Sequence, residues 1–98
     1  MLVTVWRHGE AGSSARDVDR TLTEHGVSHV TATAELFKNW CHRRGVIAPS
    51  ICTHSPLVRT RQTAALLHDA LSFSTTNECE KLAPGHVDYV QGLFLESN

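Results

Sequence analysis

The hydrophobic residues of the chain open with a short run near its start. Residues 2–6 read LVTVW, an apolar and β-branched stretch that predicts a buried strand. Arg7, His8 and Gly9 follow at once, and ligands of open α/β sheets bind at the carboxyl ends of strands. Taken alone, Arg-His-Gly is more typical of an ordinary turn. The run therefore predicts a strand and marks the residues after it as candidates for a site.

A helical period of three and four residues follows a polar segment. Residues 11–20 are small and polar without an apolar period, so they predict a surface loop. Thr23 is suited to cap a helix and Gly45 to end one, which predicts a helix at about residues 24–43. Its apolar stripe consists of Val27, Val30, Ala34, Phe37 and Cys41.

A second strand and a second helix are predicted next. Residues 51–53 (ICT) form a brief apolar run, and Ser55-Pro56 is typical of an N-cap followed by the first helical residue. The pattern predicts a helix from Pro56 to about Leu71, with Arg59 in its first turn. In that position the guanidinium and the free backbone N–H groups can converge on one anion.

The remaining third of the chain predicts three further elements. Residues 72–77 are polar and predict a connector, and residues 78–82 predict a short edge strand. Pro84 opens a last predicted helix. Strands that alternate with helices predict an α/β fold, with helices on both faces of a mainly parallel sheet.

Length and charge narrow the classes of protein that fit. The 98 residues predict a single domain spanning residues 1–98, with 41% hydrophobic residues. The formal charge of -1 gives no general attraction for nucleic acid or an anionic membrane, so any anion site must be local. Arg7 interrupts the first apolar run too early for a signal peptide or a membrane span.

Cysteine and histidine spacing predicts no bound metal. Cys41, Cys52 and Cys79 are odd in number and form no C-x-x-C pair, so they indicate neither a disulfide framework nor a zinc site. A reducing cytoplasm fits this usage best. His25 and His29 have the spacing of a metal pair but no evident third ligand, which favours a solvated helix face. We therefore expect no metal and no cofactor.

Three separated motifs together carry a family resemblance. They are Arg7-His8-Gly9-Glu10, then Arg20-Thr21-Leu22-Thr23 with Gly26, and finally the string from Ser55 to Ala64 (SPLVRTRQTA). In this order they resemble the histidine phosphatase superfamily, and the short first loop resembles bacterial phosphohistidine phosphatases of the SixA type. The resemblance implies a three-layer α/β/α, phosphoglycerate mutase-like fold.

The chemistry of phosphoryl transfer explains why these residue types occur together. Negative charge spreads over three oxygens in the transition state, so a nucleophile needs fixed cations around it. His8 is the candidate nucleophile, because a neutral imidazole presents a lone pair while a backbone carbonyl holds its other nitrogen. Arg7 and Arg59 are candidates to clamp the phosphate. The resemblance assigns these roles and adds Arg20 as a phosphate-binding residue.

The resemblance implies a phosphatase, with the substrate left open. A short, uninserted first loop favours phosphohistidine on a protein, such as the phosphotransfer domain of a histidine kinase. Relatives that act on sugar phosphates usually carry added segments that enclose a small substrate. A small-molecule phosphomonoesterase and a phosphate-binding module without turnover remain alternatives. Glu10 matches an acidic residue that is not the usual proton donor of the family.

One feature of the family pattern has no counterpart in this sequence. The resemblance implies a second catalytic histidine at the end of a later strand, and His54, His68 and His86 are poor matches for it. We therefore expect the C-terminal strands of the fold to be missing and the first strand to keep an uncovered edge. A fragment, an early stop and self-association through that edge are the open explanations.

Overall fold

The longest element, α1, spans Glu24–Arg44 and begins and ends as its sequence predicts. The structure, a computed structural model, describes residues 3–82. The Thr23 hydroxyl accepts a hydrogen bond from the Gly26 N–H, and Gly45 ends the helix in the left-handed conformation at φ 64°. Of the predicted stripe, the helix buries Val30, Ala34 and Cys41, whereas Val27 is 39% exposed.

The second helix, α2, spans Val58–Leu71 and starts two residues later than predicted. Its N-cap is Leu57, with an extended backbone at φ -65° and ψ 142°. Ser55 does not cap the helix, because its hydroxyl pairs with the Thr60 hydroxyl at 2.6 Å. The shift leaves Arg59 in the first turn, as expected.

Two short strands form a parallel pair, one between the helices in the chain and the other after α2. Strand β1 spans Ile51–His54 and β2 spans Thr75–Glu78, with Ile51 opposite Thr75 and His54 opposite Glu78. The predicted connector at residues 72–77 and edge strand at residues 78–82 are therefore wrong. All four residues of β2 are exposed, so the strand carries no apolar signature, and Glu80–Leu82 forms a 3-10 turn instead.

The predicted first strand is also corrected. Within the described range, residues 3–6 form no ladder with another strand and are not assigned as a strand. Val3 and Val5 are 46% and 69% exposed. A β-strand is defined by hydrogen bonds to a neighbour, so apolar and β-branched composition alone does not produce one. Only Trp6 packs inward, edge-on to Phe37 with ring centroids 5.6 Å apart.

The core lies between the two helices. Val30 and Ala34 of α1 meet Leu67 of α2 and Phe73, which follows it, while Trp6 and other half-buried residues pack around them. Helices combined with a parallel sheet confirm the predicted α/β class. The helix predicted from Pro84 lies outside the described residues. No helix in the described range is long and apolar enough to cross a membrane.

Candidate functional site

His8 follows Arg7, just beyond the unpaired segment at residues 3–6, and is half-buried. Its Nδ1 lies 2.7 Å from the carbonyl oxygen of Gly9. A carbonyl only accepts hydrogen bonds, so this contact assigns the ring proton to Nδ1 and leaves the lone pair on Nε2. An imidazole held this way can act as a nucleophile through Nε2.

Thr63 connects the His8 segment to helix α2. The Gly9 N–H donates to the Thr63 Oγ1 at 3.1 Å, and the same hydroxyl donates to the carbonyl oxygen of Arg59 at 2.8 Å. Both hydrogen bonds are buried, where an unsatisfied N–H would be costly. The hydroxyl therefore fixes the residue after His8 against the helical turn that carries Arg59.

Two glycines let the start of α1 approach this segment. A Cβ on Gly9 would lie 2.8 Å from a methyl group of Val30 and 3.0 Å from the carbonyl oxygen of Gly26. A Cβ on Gly26 would overlap the carbonyl oxygen of Glu10. The first turn of α1 consequently packs directly against the backbone that follows His8, and side chains at these positions would force the two apart.

The segment after Glu10 is tied to both helices. The Thr23 N–H donates to the Glu10 carbonyl oxygen at 2.9 Å, and Ala11 and Leu22 form an isolated antiparallel bridge. The Leu22 N–H donates to Oε1 of Gln62 at 2.8 Å. Gln62 thus binds the end of the loop at Leu22, while Thr63 binds its beginning at Gly9.

Arg59 is buried to an extent unusual for a charged residue, with 6% exposure. Its Nη1 donates to the Asp17 carbonyl oxygen at 2.9 Å, and its Nη2 lies 3.2 Å from Asp17 Oδ2. Its Nε is buried and has no hydrogen-bond partner. The guanidinium is therefore bound to Asp17 through its Nη atoms, while its Nε has no partner.

Arg20 meets Arg59 on the same carboxylate. Its Nη1 lies 3.3 Å from Asp17 Oδ1, while its Nε and Nη2 donate to the carbonyl oxygens of Gly12 and Ala11. Hydrogen bonds from Arg20 and then from Arg59 hold the pKa of Asp17 below its ordinary value of 3.8. Arg20 and Arg59, both predicted from the sequence as phosphate-binding residues, thus contact the same carboxylate.

Arg7 and His8 line an open cavity of about 560 Å³ on another side of the segment. Arg7 is exposed and forms no hydrogen bond or ion pair with another residue in the range 3–82. His29 of α1 also lines the cavity, whereas Arg20 and Arg59 do not. The four predicted residues therefore form two groups, with the Gly9 to Thr63 hydrogen bond as the link between them.

The remaining candidate residues make structural contacts or lie on the surface. The Glu10 carboxylate accepts from the Thr23 hydroxyl at 3.0 Å rather than pairing with a cation. His25 and His29 stack on an exposed helix face, with ring centroids 6.1 Å apart. Among residues 3–82, no group of three or more His, Cys, Asp or Glu side chains could hold a metal ion. Burial raises the pKa of the Cys52 thiol.

Three residues that position the site do not follow from single motifs. Gln62 and Thr63 belong to the Ser55 to Ala64 string but received no role, although that string carried the signal. Asp17 looked like one polar residue in a loop, and no local pattern predicts that it reaches Arg59, 42 residues away. Contacts of that sequence separation depend on how the two helices pack.

Comparison with known proteins shows which family the chain resembles. The model of the histidine phosphatase superfamily (branch 1) matches residues 3–96. A yeast relative, Phosphoglycerate mutase 3 from Saccharomyces cerevisiae, is 31% identical over a match of 78 residues. The match covers 74% of this chain and 26% of that protein.

Solved structures resemble the chain as well. A candidate phosphohistidine phosphatase SixA from Nakamurella multipartitia is 34% identical, with a TM-score of 0.67 over 88% of this chain and 45% of its own. A protein histidine phosphatase SixA complexed with tungstate is 29% identical, with a TM-score of 0.65. The match covers 92% of this chain and 59% of its own. A further SixA structure, from Agrobacterium tumefaciens, has a TM-score of 0.75 at 24% identity and supports the fold alone.

The chain spans about half the length of these solved structures and a quarter of the yeast relative. The family match nevertheless covers nearly all of its residues, including the three motifs on which the site is built. The chain belongs to the histidine phosphatase superfamily.

Proposed function

We propose that this chain carries the nucleophile half of a phosphatase that removes phosphate from a phosphohistidine on a protein. The observation that supports this most directly is the state of His8. Its Nδ1 is engaged by the Gly9 carbonyl oxygen at 2.7 Å, which leaves Nε2 available for attack. Membership of the family supports the same role for the residue.

In the first step, His8 Nε2 attacks the phosphorus and displaces the imidazole of the substrate histidine. A bond forms between Nε2 and phosphorus, the bond between phosphorus and the substrate nitrogen breaks, and the leaving nitrogen takes a proton from solvent. Arg7 lines the same cavity as His8 and stabilises the charge on the phosphoryl oxygens. Arg59 and Arg20, which the family resemblance assigns to phosphate binding, are proposed to add to this charge stabilisation although they do not line that cavity. In the second step, a water oxygen attacks the phosphorus and the bond between phosphorus and His8 Nε2 breaks. A proton of the water passes to solvent, and inorganic phosphate is released.

The substrate class is inferred from the leaving group and the openness of the site. The cavity beside Arg7 and His8 is open, and it leaves room for a phosphorylated side chain presented by another protein. A protonated imidazole leaves more readily than an alkoxide, so less acid catalysis is needed. A phosphotransfer domain of a histidine kinase is therefore the proposed partner.

Rapid quenching after addition of a phosphohistidine protein tests the proposal. We expect labelled phosphate on the chain in an acid-labile, base-stable linkage, and we expect none in His8→Ala. Removal of a catalytic nucleophile should slow the chemical step by several orders of magnitude. His25→Ala, on the exposed face of α1, is the matched control and should keep the label.

Two results would contradict parts of the proposal. A label that persists in His8→Ala shows that another residue is the nucleophile. Ready hydrolysis of small phosphomonoesters, with phosphohistidine proteins left unchanged, shows that the substrate class is wrong and supports a small-molecule phosphomonoesterase.

A phosphate-binding module without turnover is the second candidate function. It is favoured by the lack of a good match for the second catalytic histidine among His54, His68 and His86. In the structure His54 engages the Ser55 carbonyl oxygen through Nδ1 at 2.8 Å, and His68 lies exposed in α2. Calorimetry with vanadate, measured beside turnover on the same sample, separates the two functions, because binding without turnover favours the module.

A further inference from the structure

The carboxylate of Asp17 lies between the two arginines that the proposed function assigns to phosphate binding. One of its oxygens faces Arg59 Nη2 at 3.2 Å and the other faces Arg20 Nη1 at 3.3 Å. A carboxylate and a phosphoryl group compete for the same guanidinium donors, because both offer paired anionic oxygens.

The burial of Arg59 explains why an anion is needed there at all. Its side chain is 7% exposed, and Asp17 is its only acidic partner within residues 3–82. A buried guanidinium without a counter-ion is strongly unfavourable. Its Nε also remains buried without a hydrogen-bond partner, so the carboxylate does not satisfy every donor that the side chain presents.

Asp17 is attached to the protein in a way that lets it withdraw. It belongs to the 3-10 turn Asp17–Asp19, which buries none of its residues, and its own side chain is 60% exposed. Rotation of this side chain into solvent would expose no core residue. The same arginines hold its pKa below 3.8, so the competing group is fully charged at neutral pH.

We infer that Asp17 is a placeholder anion, which pairs with both Arg59 and Arg20 before phosphate binds and must be displaced by an incoming phosphoryl group. This inference rests on the proposed function only for the assignment of these arginines to phosphate. It makes Asp17 a determinant of phosphate affinity, outside the group of residues that act in the chemical steps. It also predicts that affinity is limited by an interaction inside the protein.

Calorimetric titration of the chain with inorganic phosphate tests the placeholder. We expect Asp17→Asn to bind phosphate about fivefold more tightly than the unmutated chain, since a competing ion pair with an exposed carboxylate is lost. Asp19→Asn is the matched control, because it removes the same charge from the same turn. The Asp19 carboxylate pairs with exposed Arg16 at 3.5 Å, so the phosphate affinity of Asp19→Asn should stay within about twofold of that of the unmutated chain.

Thermal unfolding supplies a second measurement. Without phosphate, Asp17→Asn should melt below the unmutated chain, and saturating phosphate should raise its melting temperature by more than it raises that of Asp19→Asn. If Asp17→Asn folds only with phosphate present, phosphate has replaced the missing counter-ion and the inference is supported. If it stays unfolded at every phosphate concentration, the inference is overturned.

The inference and the proposed function fail separately. Equal phosphate affinities for the two variants, or weaker binding by Asp17→Asn, overturn the placeholder even if phosphohistidine is hydrolysed. Tighter binding by Asp17→Asn without any turnover supports the placeholder and contradicts the phosphatase.

Discussion

At the scale of single residues, the hydroxyl of Thr63 decides where His8 lies. It accepts from the Gly9 N–H and donates to the Arg59 carbonyl oxygen, and all of these groups are buried. An aliphatic residue of the same shape would fill the space but could do neither. Two functional positions that are 51 residues apart in sequence thus depend on one oxygen atom.

Thr63→Val should lower both stability and activity. The buried Gly9 N–H would lose its partner, which costs about 1–3 kcal/mol in the free energy of unfolding. The attacking imidazole would also lose its alignment with Arg59. Urea unfolding and single-turnover kinetics measure the two effects. Thr63→Ser, which retains the hydroxyl, is the control, and an equal loss in both variants would show that the methyl group matters instead.

The charge of Asp17 should make stability depend on pH at the acidic end. Its pKa in the folded chain is below 3.8, with hydrogen bonds from Arg20 as the largest cause. A lowered folded pKa contributes stability above the unfolded value, and that contribution is lost as pH falls through the folded pKa. Unfolding measured from pH 7 to pH 2 should show a gap between the unmutated chain and Asp17→Asn that closes at the acidic end. A constant gap would contradict this explanation.

At the scale of elements, the start of α1 is shaped by its contact with the segment that carries His8. Gly26 is buried in the first turn, where a Cβ would overlap the Glu10 carbonyl oxygen. Helix propensity favours alanine over glycine by about 1 kcal/mol. Overpacking against backbone costs about 1–3 kcal/mol and cannot be relieved by rotating a side chain. Close approach therefore outweighs propensity here.

Gly26→Ala should destabilise the chain by up to about 2 kcal/mol in spite of its higher helix propensity. The same substitution should move the backbone after His8 and slow phosphorylation of the histidine. Chemical unfolding and the rapid-quench assay measure these outcomes. Gly12→Ala is the control, because a Cβ there would lie 3.9 Å or more from its neighbours. A stabilised Gly26→Ala would show that propensity dominates.

At the scale of the whole molecule, the segment at residues 3–6 contacts the core through Trp6. Trp6 packs on Phe37, whereas Val3 and Val5 are 46% and 69% exposed. Within the described residues, no strand pairs with this segment. Among residues 3–82 the backbone N–H and C=O groups of this segment have no hydrogen-bond partner, and an unpaired segment with apolar side chains is a surface on which another strand can add.

We expect the 98-residue chain to self-associate through residues 3–6. Sedimentation velocity over a range of concentrations should show a dimer, and Val5→Lys should weaken it, because a charge on that edge disfavours pairing. Ile47→Lys is the control, since Ile47 is 91% exposed in the connection after α1. A monomer at every concentration, or equal effects of the two substitutions, would contradict the expectation.

Local patterns in the sequence were sufficient for the helices and for the identity of the candidate residues. Thr23, Gly26 and Gly45 mark the boundaries of α1 through capping and the left-handed conformation, which are properties of a few neighbouring residues. The place of Arg59 in the first turn of α2 was also predicted, although the helix begins two residues later than expected and Ser55 does not cap it. The histidine phosphatase motifs likewise identify themselves by residue type and spacing.

Tertiary structure decided the features that need a partner far away in the sequence, namely strand pairing and the burial of Arg59. Residues 3–6 have the composition of a strand but lack a neighbour in the described range, whereas Thr75–Glu78 is polar and pairs with β1. Strand formation requires hydrogen bonds between separate segments, so composition does not settle it. The burial of Arg59 and its pairing with Asp17 arise only when the loop meets α2. The sequence determined the chemical groups of the site by itself, and packing decided which of them meet, because only the folded chain brings distant side chains within hydrogen-bond range.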